Sequence, residues 1–262
     1  MTESEIIKNR IIDLSRMSYE RGIYTFSDFL TLAEQSDFIE VLRSGKLYNN
    51  DYSTYGGYEG SERVMIRFGS EESLGYEQAW PISCIKISPL NHKFSEDLSH
   101  RDILGSLMNL GIKRHLLGDI LIPNNSDLTS NNQPAAYVFA EEHIADTLCH
   151  ELTRIRHTSV LATIIDNPEE IPQPTLKECT LQVKSERIDL IVAHTFNLSR
   201  SQAADLFMAQ KVFINGRLME NESHTLKVGD LTSVRGYGRF IYQGASGSTR
   251  KGNLIVTISK YV

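Results

Sequence analysis

Apolar residues recur at helical spacing near the start of the chain. Ile7, Ile11 and Leu14 mark one face of an amphipathic helix, and residues 29–42 contain at least one more. The pattern predicts a mainly helical segment over residues 1–80. It is interrupted by Tyr55-Gly56-Gly57-Tyr58-Glu59-Gly60-Ser61-Glu62-Arg63, a glycine- and aromatic-rich loop entering a strand at residues 64–68. The tyrosines of such a loop suit stacking on bases. A plain glycine turn with surface tyrosines is the alternative reading.

From residue 82 the periodicity shortens. Cys84, Ile85, Lys86 and Ile87 read as a strand. Ser99 then caps a helix, with Asp102 three residues on to complete a capping box and Gly111 just past the end. Ile103, Leu104, Leu107, Met108 and Leu110 give that helix its apolar face. Residues 112–122 predict one or two strands broken at Gly118-Asp119, and residues 124–134 a polar loop. Tyr137, Val138 and Phe139 predict a strand, residues 141–155 a second helix, and residues 160–165 a β-branched strand. That order suits an RRM-like, ferredoxin-like sandwich of split βαβ type. Three prolines and three acids between Asp166 and Pro174 then read as a semi-extended linker.

The final third alternates again. Ile188, Leu190, Ile191, Val192 and Phe196 predict a helix buried on one side, with Arg187 near its exposed start. Ser199 caps the next helix and Gln202 completes its capping box, which leaves Arg200 in the first turn. Free backbone N–H groups and the helix dipole favour an anion there, and a guanidinium adds a fork suited to phosphate. Asn215-Gly216 predicts a type I′ hairpin presenting Lys211 and Arg217. Arg235 and Arg239 bracket glycines that allow close backbone approach, and Arg250-Lys251 supply another basic turn.

The expected architecture is α+β in three small domains. They are a mainly helical domain over 1–80, an RRM-like middle domain over 81–166, and a two-helix plus small-sheet RNA-binding domain over 181–262. A proline-containing linker over 167–180 precedes the last.

Charge sharpens this picture. The 262 residues carry a net charge of −6, yet residues 181–262 contain 11 Lys and Arg against 6 acids, a net of +5. The remainder therefore carries 16 basic and 27 acidic residues, a net of −11. A basic module on an acidic body is the layout of a nucleic-acid binder that avoids coating polyanions indiscriminately. Cys84, Cys149 and Cys179 are odd in number and widely spaced, so neither a disulfide framework nor a zinc site is indicated, and no cofactor is expected. Thr-Glu-Ser-Glu after Met1 does not resemble a secretory signal, and no apolar run approaches the ~20 residues that span a bilayer. A cytoplasmic protein without membrane contact is expected.

These residues resemble a family. Arg187-Ile-Asp, Ser199-Arg200, Lys211-Val-Phe-Ile-Asn215-Gly216 and Val228-Gly229-Asp230 look like the RNA-binding domain named after the fourth small-subunit ribosomal protein. Leu190 stands where that pattern often has lysine. The whole chain resembles the bacterial YlmH family. The resemblance is carried by Gly56-Gly57-Tyr58…Glu62-Arg63, by residues 98–105, by Gly111-Ile112-Lys113-Arg114…Gly118-Asp119-Ile120, and by Arg-Gly-Tyr-Gly-Arg-Phe at 235–240. It implies a non-enzymatic cytoplasmic factor that binds rRNA or tRNA on large ribosomal subunits carrying stalled peptidyl-tRNA, in ribosome-associated quality control beside other such factors.

The candidate RNA contacts are Arg187, Ser199, Arg200, Gln202, Lys211, Asn215, Gly216, Arg217, Arg235, Arg239, Arg250 and Lys251. Tyr58, Arg63, Arg101, Lys113 and Arg114 form a possible second set. Two other classes stand beside this reading: an RNA-modifying enzyme such as a pseudouridine synthase relative, suggested by His100-Arg101-Asp102, and a protein-interaction scaffold. His150-Glu151 begins a zinc-protease motif whose second histidine is replaced by Arg154, and residues 247–252 lack the Lys-Ser/Thr of a P-loop.

Overall fold

Thr2 accepts from the amide of Glu5 and Glu5 reciprocates, so the first helix, α1 (Glu3–Arg21), starts on a complete capping box and stops at Gly22 in the left-handed region. Ile11 and Leu14 are buried along it. The structure is a computed structural model that describes residues 2–91, 95–123, 135–165, 171 and 175–261. After α1 come β1 (Thr25–Phe26), α2 (Leu32–Ser44), β2 (Tyr52–Tyr55), β3 (Met65–Phe68) and the one-turn α3 (Glu71–Leu74). The three strands form an antiparallel sheet in the order β1-β3-β2. The segment expected to be mainly helical thus also holds a sheet, whose two- and four-residue strands are too short to register as alternation.

The chain continues with β4 (Ile82–Pro89), α4 (His100–Asn109), a 3₁₀ turn at Arg114–Leu116, β5 (Leu117–Leu121), β6 (Ala136–Glu141), α5 (Glu142–Glu151), β7 (Arg154–Ile155) and β8 (Thr158–Ile165). Its sheet runs β5-β6-β4-β8-β7 and is antiparallel throughout. β6 therefore lies between β4 and β5, and β4 between β6 and β8, which makes two interleaved split βαβ units. Ser99 and Asp102 form the expected capping box on α4.

Two element bounds differ from the sequence reading. The second helix stops at Glu151, because Leu152, at φ −82° and ψ 81°, leaves helical backbone, and residues 154–155 then pair with β8 through a turn at Arg156. The strand expected within residues 112–122 is confined to Leu117–Leu121, with its irregularity between Leu117 and Ile120, at the expected Gly118-Asp119.

Ile103, Leu107, Ala145 and Leu148 pack against Ile85, Ile87, Val138 and Val160 on the helical face of this sheet. The other face buries Phe139, Tyr137 and Cys84 under Phe29, Tyr58 and Met65. Full burial of one such aromatic stabilises by about 2–3 kcal/mol. Burial pushes the Cys84 thiol up to about 12.

β9 (Leu176–Val183), α6 (Ile188–Thr195), α7 (Arg200–Met208), β10 (Val212–Ile214), β11 (Arg217–Leu218), β12 (Leu231–Val234), β13 (Gly238–Ser248) and β14 (Leu254–Tyr261) complete the chain. The sheet order is β11-β10-β12-β13-β14-β9, again antiparallel. α6 and α7 bury Ile188, Ile191, Val192, Ala203 and Phe207 against Val212, Val234, Phe240, Val256 and Ile258. β9 takes residues 176–180 from the stretch expected as linker. The proline-rich positions 166–170 and 172–174, and the polar loop at 124–134, lie outside the described residues.

Two compact units result: Met1–Thr31 with Val41–Gln173, and Leu32–Glu40 with Pro174–Val262. No helix among the described residues is long and apolar enough to cross a membrane.

Candidate nucleic-acid interface

Asp189 organises the centre of the basic set. It lies in the first turn of α6 with 2% of its side chain exposed, and accepts two hydrogen bonds from Arg187, Nε at 2.9 Å and Nη2 at 3.0 Å. The Nε of Arg200 stands 3.8 Å from Asp189 Oδ2, the oxygen that also accepts from Arg187 Nη2. Arg187 is the N-cap residue of α6, makes no side-chain cap bond, and also faces Glu222 at 3.9 Å. The hydrogen bond from Arg187 to Asp189 raises the arginine's pKa further. Arg200 opens α7 and is 71% exposed. One interior carboxylate thus fixes the Arg187 guanidinium by two hydrogen bonds and pairs loosely with Arg200, most of which stays in water. A bidentate arginine–carboxylate fork fixes plane and direction together.

Other candidates have structural employment. Ser199 Oγ accepts from the Gln202 amide at 3.2 Å, and Gln202 Oε1 accepts from the Ser199 amide at 2.9 Å, so both side chains are spent on the cap. Asn215 and Gly216 have φ of 50° and 75°, as a type I′ hairpin requires. Asn215 Nδ2 donates to Asp230 at 2.9 Å and its Oδ1 accepts from Leu231 N at 2.9 Å, locking the hairpin to the neighbouring turn. A Cβ on Gly216 would come within 3.1 Å of Gln35 Oε1, and Ser36 Oγ accepts from Leu218 N at 3.1 Å. Asn215 and Gly216 thus hold the hairpin's conformation, although Asn215 itself stays exposed.

Lys211, Arg217, Arg235, Arg250 and Lys251 are exposed. The Arg235 amide donates to Lys211 O at 2.9 Å, which brings those two residues together. Arg250 and Lys251 sit beyond the pair Ser248↔Leu254, whereas Arg235 precedes Gly238 at the opposite end of β13. At about 3.3 Å per residue, the 11 residues of β13 separate these groups by roughly 30 Å. The basic residues are therefore distributed along the unit, not gathered in one pocket. Arg239 lies over the Tyr261 ring at 4.4 Å and Arg235 over Phe213 at 5.9 Å.

The second set divides more sharply. Tyr58 is 4% exposed, stacks on Phe139 at 5.0 Å and donates its hydroxyl to Asp119 Oδ2 at 2.7 Å. Arg63 is 7% exposed and donates to the carbonyls of Leu117 at 2.9 Å, Phe29 at 2.9 Å and Arg114 at 3.3 Å. Both are interior groups, so the expectation that they face a ligand is corrected. Arg114 donates to Leu117 O at 2.6 Å and Gly118 O at 3.1 Å, and burial lowers its pKa. Only Arg101 and Lys113 of this set are exposed.

The motif containing Tyr58 and Arg63 is an architectural lock. Asp119 also accepts from the amides of Glu62 at 2.7 Å and Arg63 at 3.1 Å. A Cβ on Gly56 would fall 2.1 Å from Arg63 O, one on Gly57 2.3 Å from Phe139, and one on Gly118 2.8 Å from Phe29. No side chain fits at any of the three.

The catalytic look-alikes are likewise occupied. Asp102 caps α4 and faces Arg156 at 3.6 Å, and His150 Nδ1 lies 2.7 Å from Asp146 O in its own helix. Among the described residues no group of three or more His, Cys, Asp or Glu could hold a metal ion. Sequence reasoning missed Asp189 as the organiser, although its position two residues after Arg187 was visible. It also missed Phe196, Tyr237 and Lys260, which cluster only through sheet register: the Lys260 ammonium lies 5.0 Å from the Phe196 ring centre.

Comparison with known proteins gives two family matches. Residues 76–168 match the model described as a putative RNA-binding domain in YlmH, and residues 177–234 the C-terminal domain of mitochondrial transcription rescue factor 1. A Bacillus subtilis protein named ribosome-associated protein quality control protein P2 is 27% identical over 253 residues, covering 96% of this chain and 93% of that protein. A solved structure titled cell division protein ylmH from Streptococcus pneumoniae aligns with TM-score 0.47 and 20% identity, over 66% of this chain and 96% of its own.

Proposed function

We propose that this chain is a non-enzymatic RNA-binding factor that engages rRNA or tRNA on the large ribosomal subunit, in rescue and quality control of stalled peptidyl-tRNA complexes. The observation that carries the reading is the Arg187–Asp189–Arg200 arrangement, two guanidinium groups on adjacent helix starts, one held by and one close to a buried carboxylate, in the basic part of the chain. The RNA-binding description of the model matching residues 76–168 and the name of the Bacillus subtilis relative support the same direction. Neither carries an enzyme's name, and Asp102 is engaged as a cap.

In this reading residues 184–240 form an RNA-binding domain of the ribosomal-protein-S-four type. Arg187, Arg200, Lys211, Arg217, Arg235, Arg250 and Lys251 meet phosphates, and the segments over 1–80 and 81–166 serve to position the factor on its particle in the cytoplasm. Phosphate contacts release counterions, so affinity falls steeply with salt.

The test is co-sedimentation with large subunits carrying peptidyl-tRNA, across a salt series. The parent should pellet with them, and the double variant Arg187→Ala, Arg200→Ala should remain in the supernatant. Equal pelleting of the two proteins would remove the proposed surface. Appearance of a modified nucleoside in the recovered rRNA would favour an enzyme instead.

A further inference from the structure

The turn between β12 and β13 presents an aromatic ring beside unneutralised positive charge. Tyr237 is 45% exposed and is held between Gly236 at φ 87° and Gly238 at φ 123°. Its amide donates to Val234 O at 2.9 Å, which fixes the turn. Behind it, the Phe196 ring lies 5.9 Å away at a tilt of 58°, and Phe196 in turn packs on the buried Phe240. A Cβ on Gly238 would lie 3.7 Å from Phe196, so this ring backs the turn closely. The tyrosine is propped from within and open to solvent without.

Charge beside this ring points to the ligand. Register pairs Phe240 with Lys260 across β13 and β14, and Lys260 with Lys177 across β14 and β9. Two lysines directly opposite on an antiparallel ladder repel. Among the described residues neither has an acidic partner within salt-bridge distance. Lys260 is held over the Phe196 ring at 5.0 Å, which keeps its ammonium next to the tyrosine turn. A ring exposed for stacking and two lysines in register, neither with an acidic partner among the described residues, together suit an anion carrying a flat aromatic group. A nucleotide has both parts.

We propose that Tyr237, Lys260 and Lys177 form a site for one unpaired nucleotide, its base stacked on Tyr237 and its phosphate between the two lysines. This rests on the RNA-binding reading above and adds to it a feature of the RNA, an unstacked base next to the structured part. Tyr237 and Lys260 fall outside the segment matched by either family model. Stacking carries no sequence preference of its own, because every base has a π face.

The test uses the full chain and two RNA probes: a hairpin, and the same hairpin with a single-stranded 3′ extension carrying 2-aminopurine. For the parent, the extension should raise affinity and 2-aminopurine fluorescence should be quenched on binding. Tyr237→Ala should lose about tenfold in affinity for the extended probe, while Tyr237→Phe stays within about twofold, as a stacking role requires. Lys177→Ala and Lys260→Ala should each lower the salt-dependence slope by about 0.7.

An abasic extension should bind the parent and Tyr237→Ala alike. If the extension adds nothing, or Tyr237→Ala binds it like the parent, the nucleotide site is wrong while hairpin binding sensitive to Arg187→Ala still supports the function. If the parent binds neither probe, both proposals fall. Binding of a polyglutamate peptide with the same Tyr237→Ala sensitivity, and no RNA effect, would assign the turn to a protein partner and overturn the inference.

Discussion

Two aspartates, one in each unit, sit beside an arginine and use it in opposite ways. Asp119 receives the amides of Glu62 and Arg63 and the hydroxyl of Tyr58, while the guanidinium of Arg63 turns inward to three backbone carbonyls. Asp189 receives a guanidinium, and so holds Arg187 and reaches Arg200 at the surface. In the first unit the positive charge replaces missing backbone partners and is consumed. In the second the negative charge is buried so that the positive charge is displayed. Residue type is the same, and burial of the guanidinium decides between architecture and presentation.

The contrast can be broken most severely at Arg63. Arg63→Ala removes the donors serving Phe29 O and Arg114 O from the interior and should cost about 3–5 kcal/mol in urea unfolding. RNA affinity of the folded protein should not change. A stability loss under about 1 kcal/mol accompanied by lost binding would make Arg63 a contact residue and erase the distinction.

Glu141 sharpens the same side. Burial, with Asp28 adding repulsion, raises its carboxyl from 4.5 to about 7. The folded state then binds the proton more tightly than the unfolded one, so this group's contribution is full below about 4.5 and declines as pH rises toward 7. Glu141→Gln should flatten that slope and be more stable than the parent at pH 8 by on the order of 1–3 kcal/mol. Parallel stability–pH curves for the two proteins would contradict it.

On the other side, Asp189→Asn sets aim against charge. The variant gains one net positive charge, which by itself strengthens attraction to phosphate. Loss of the fork should nevertheless weaken binding to structured RNA by about tenfold. A tighter complex would show that Arg187 needs no positioning.

The smallest effect is expected at Arg200. Its exposure predicts that Arg200→Ala changes stability by less than about 0.5 kcal/mol. Binding should weaken severalfold, with the salt slope lower by about 0.7–0.9. An unchanged slope would remove it from the interface.

Local chemistry was legible in the sequence and distant pairing was not. The Ser99–Asp102 and Ser199–Gln202 boxes, the Asn215-Gly216 turn and the strand–helix order after residue 82 each depend on residues within a few positions. Of the N-terminal sheet, the strand at 64–68 was legible, but β1 escaped because it has two residues and its partner lies some forty positions later. Tyr58 and Arg63 were misread because a tyrosine and an arginine on a glycine-rich loop look solvent-facing. Only the folded chain brings Asp119 and Phe139 to them. Lys260 and Lys177 escaped for the same reason, since 83 positions (260 less 177) separate a pair that register sets side by side.

That ladder between β9 and β14 also orders events during synthesis. Leu254 pairs with Val183, 71 positions earlier (254 less 183), so the first strand of the unit waits for its last. Closing a loop of that length costs about 4 kcal/mol in chain entropy, which the eight paired positions must offset together. A nascent chain halted before residue 254 would hold β9 and β13 without the strand that joins them, each offering an unpaired edge to other chains. Premature stops in the last strand are therefore expected to give insoluble product, however little of the sequence they remove.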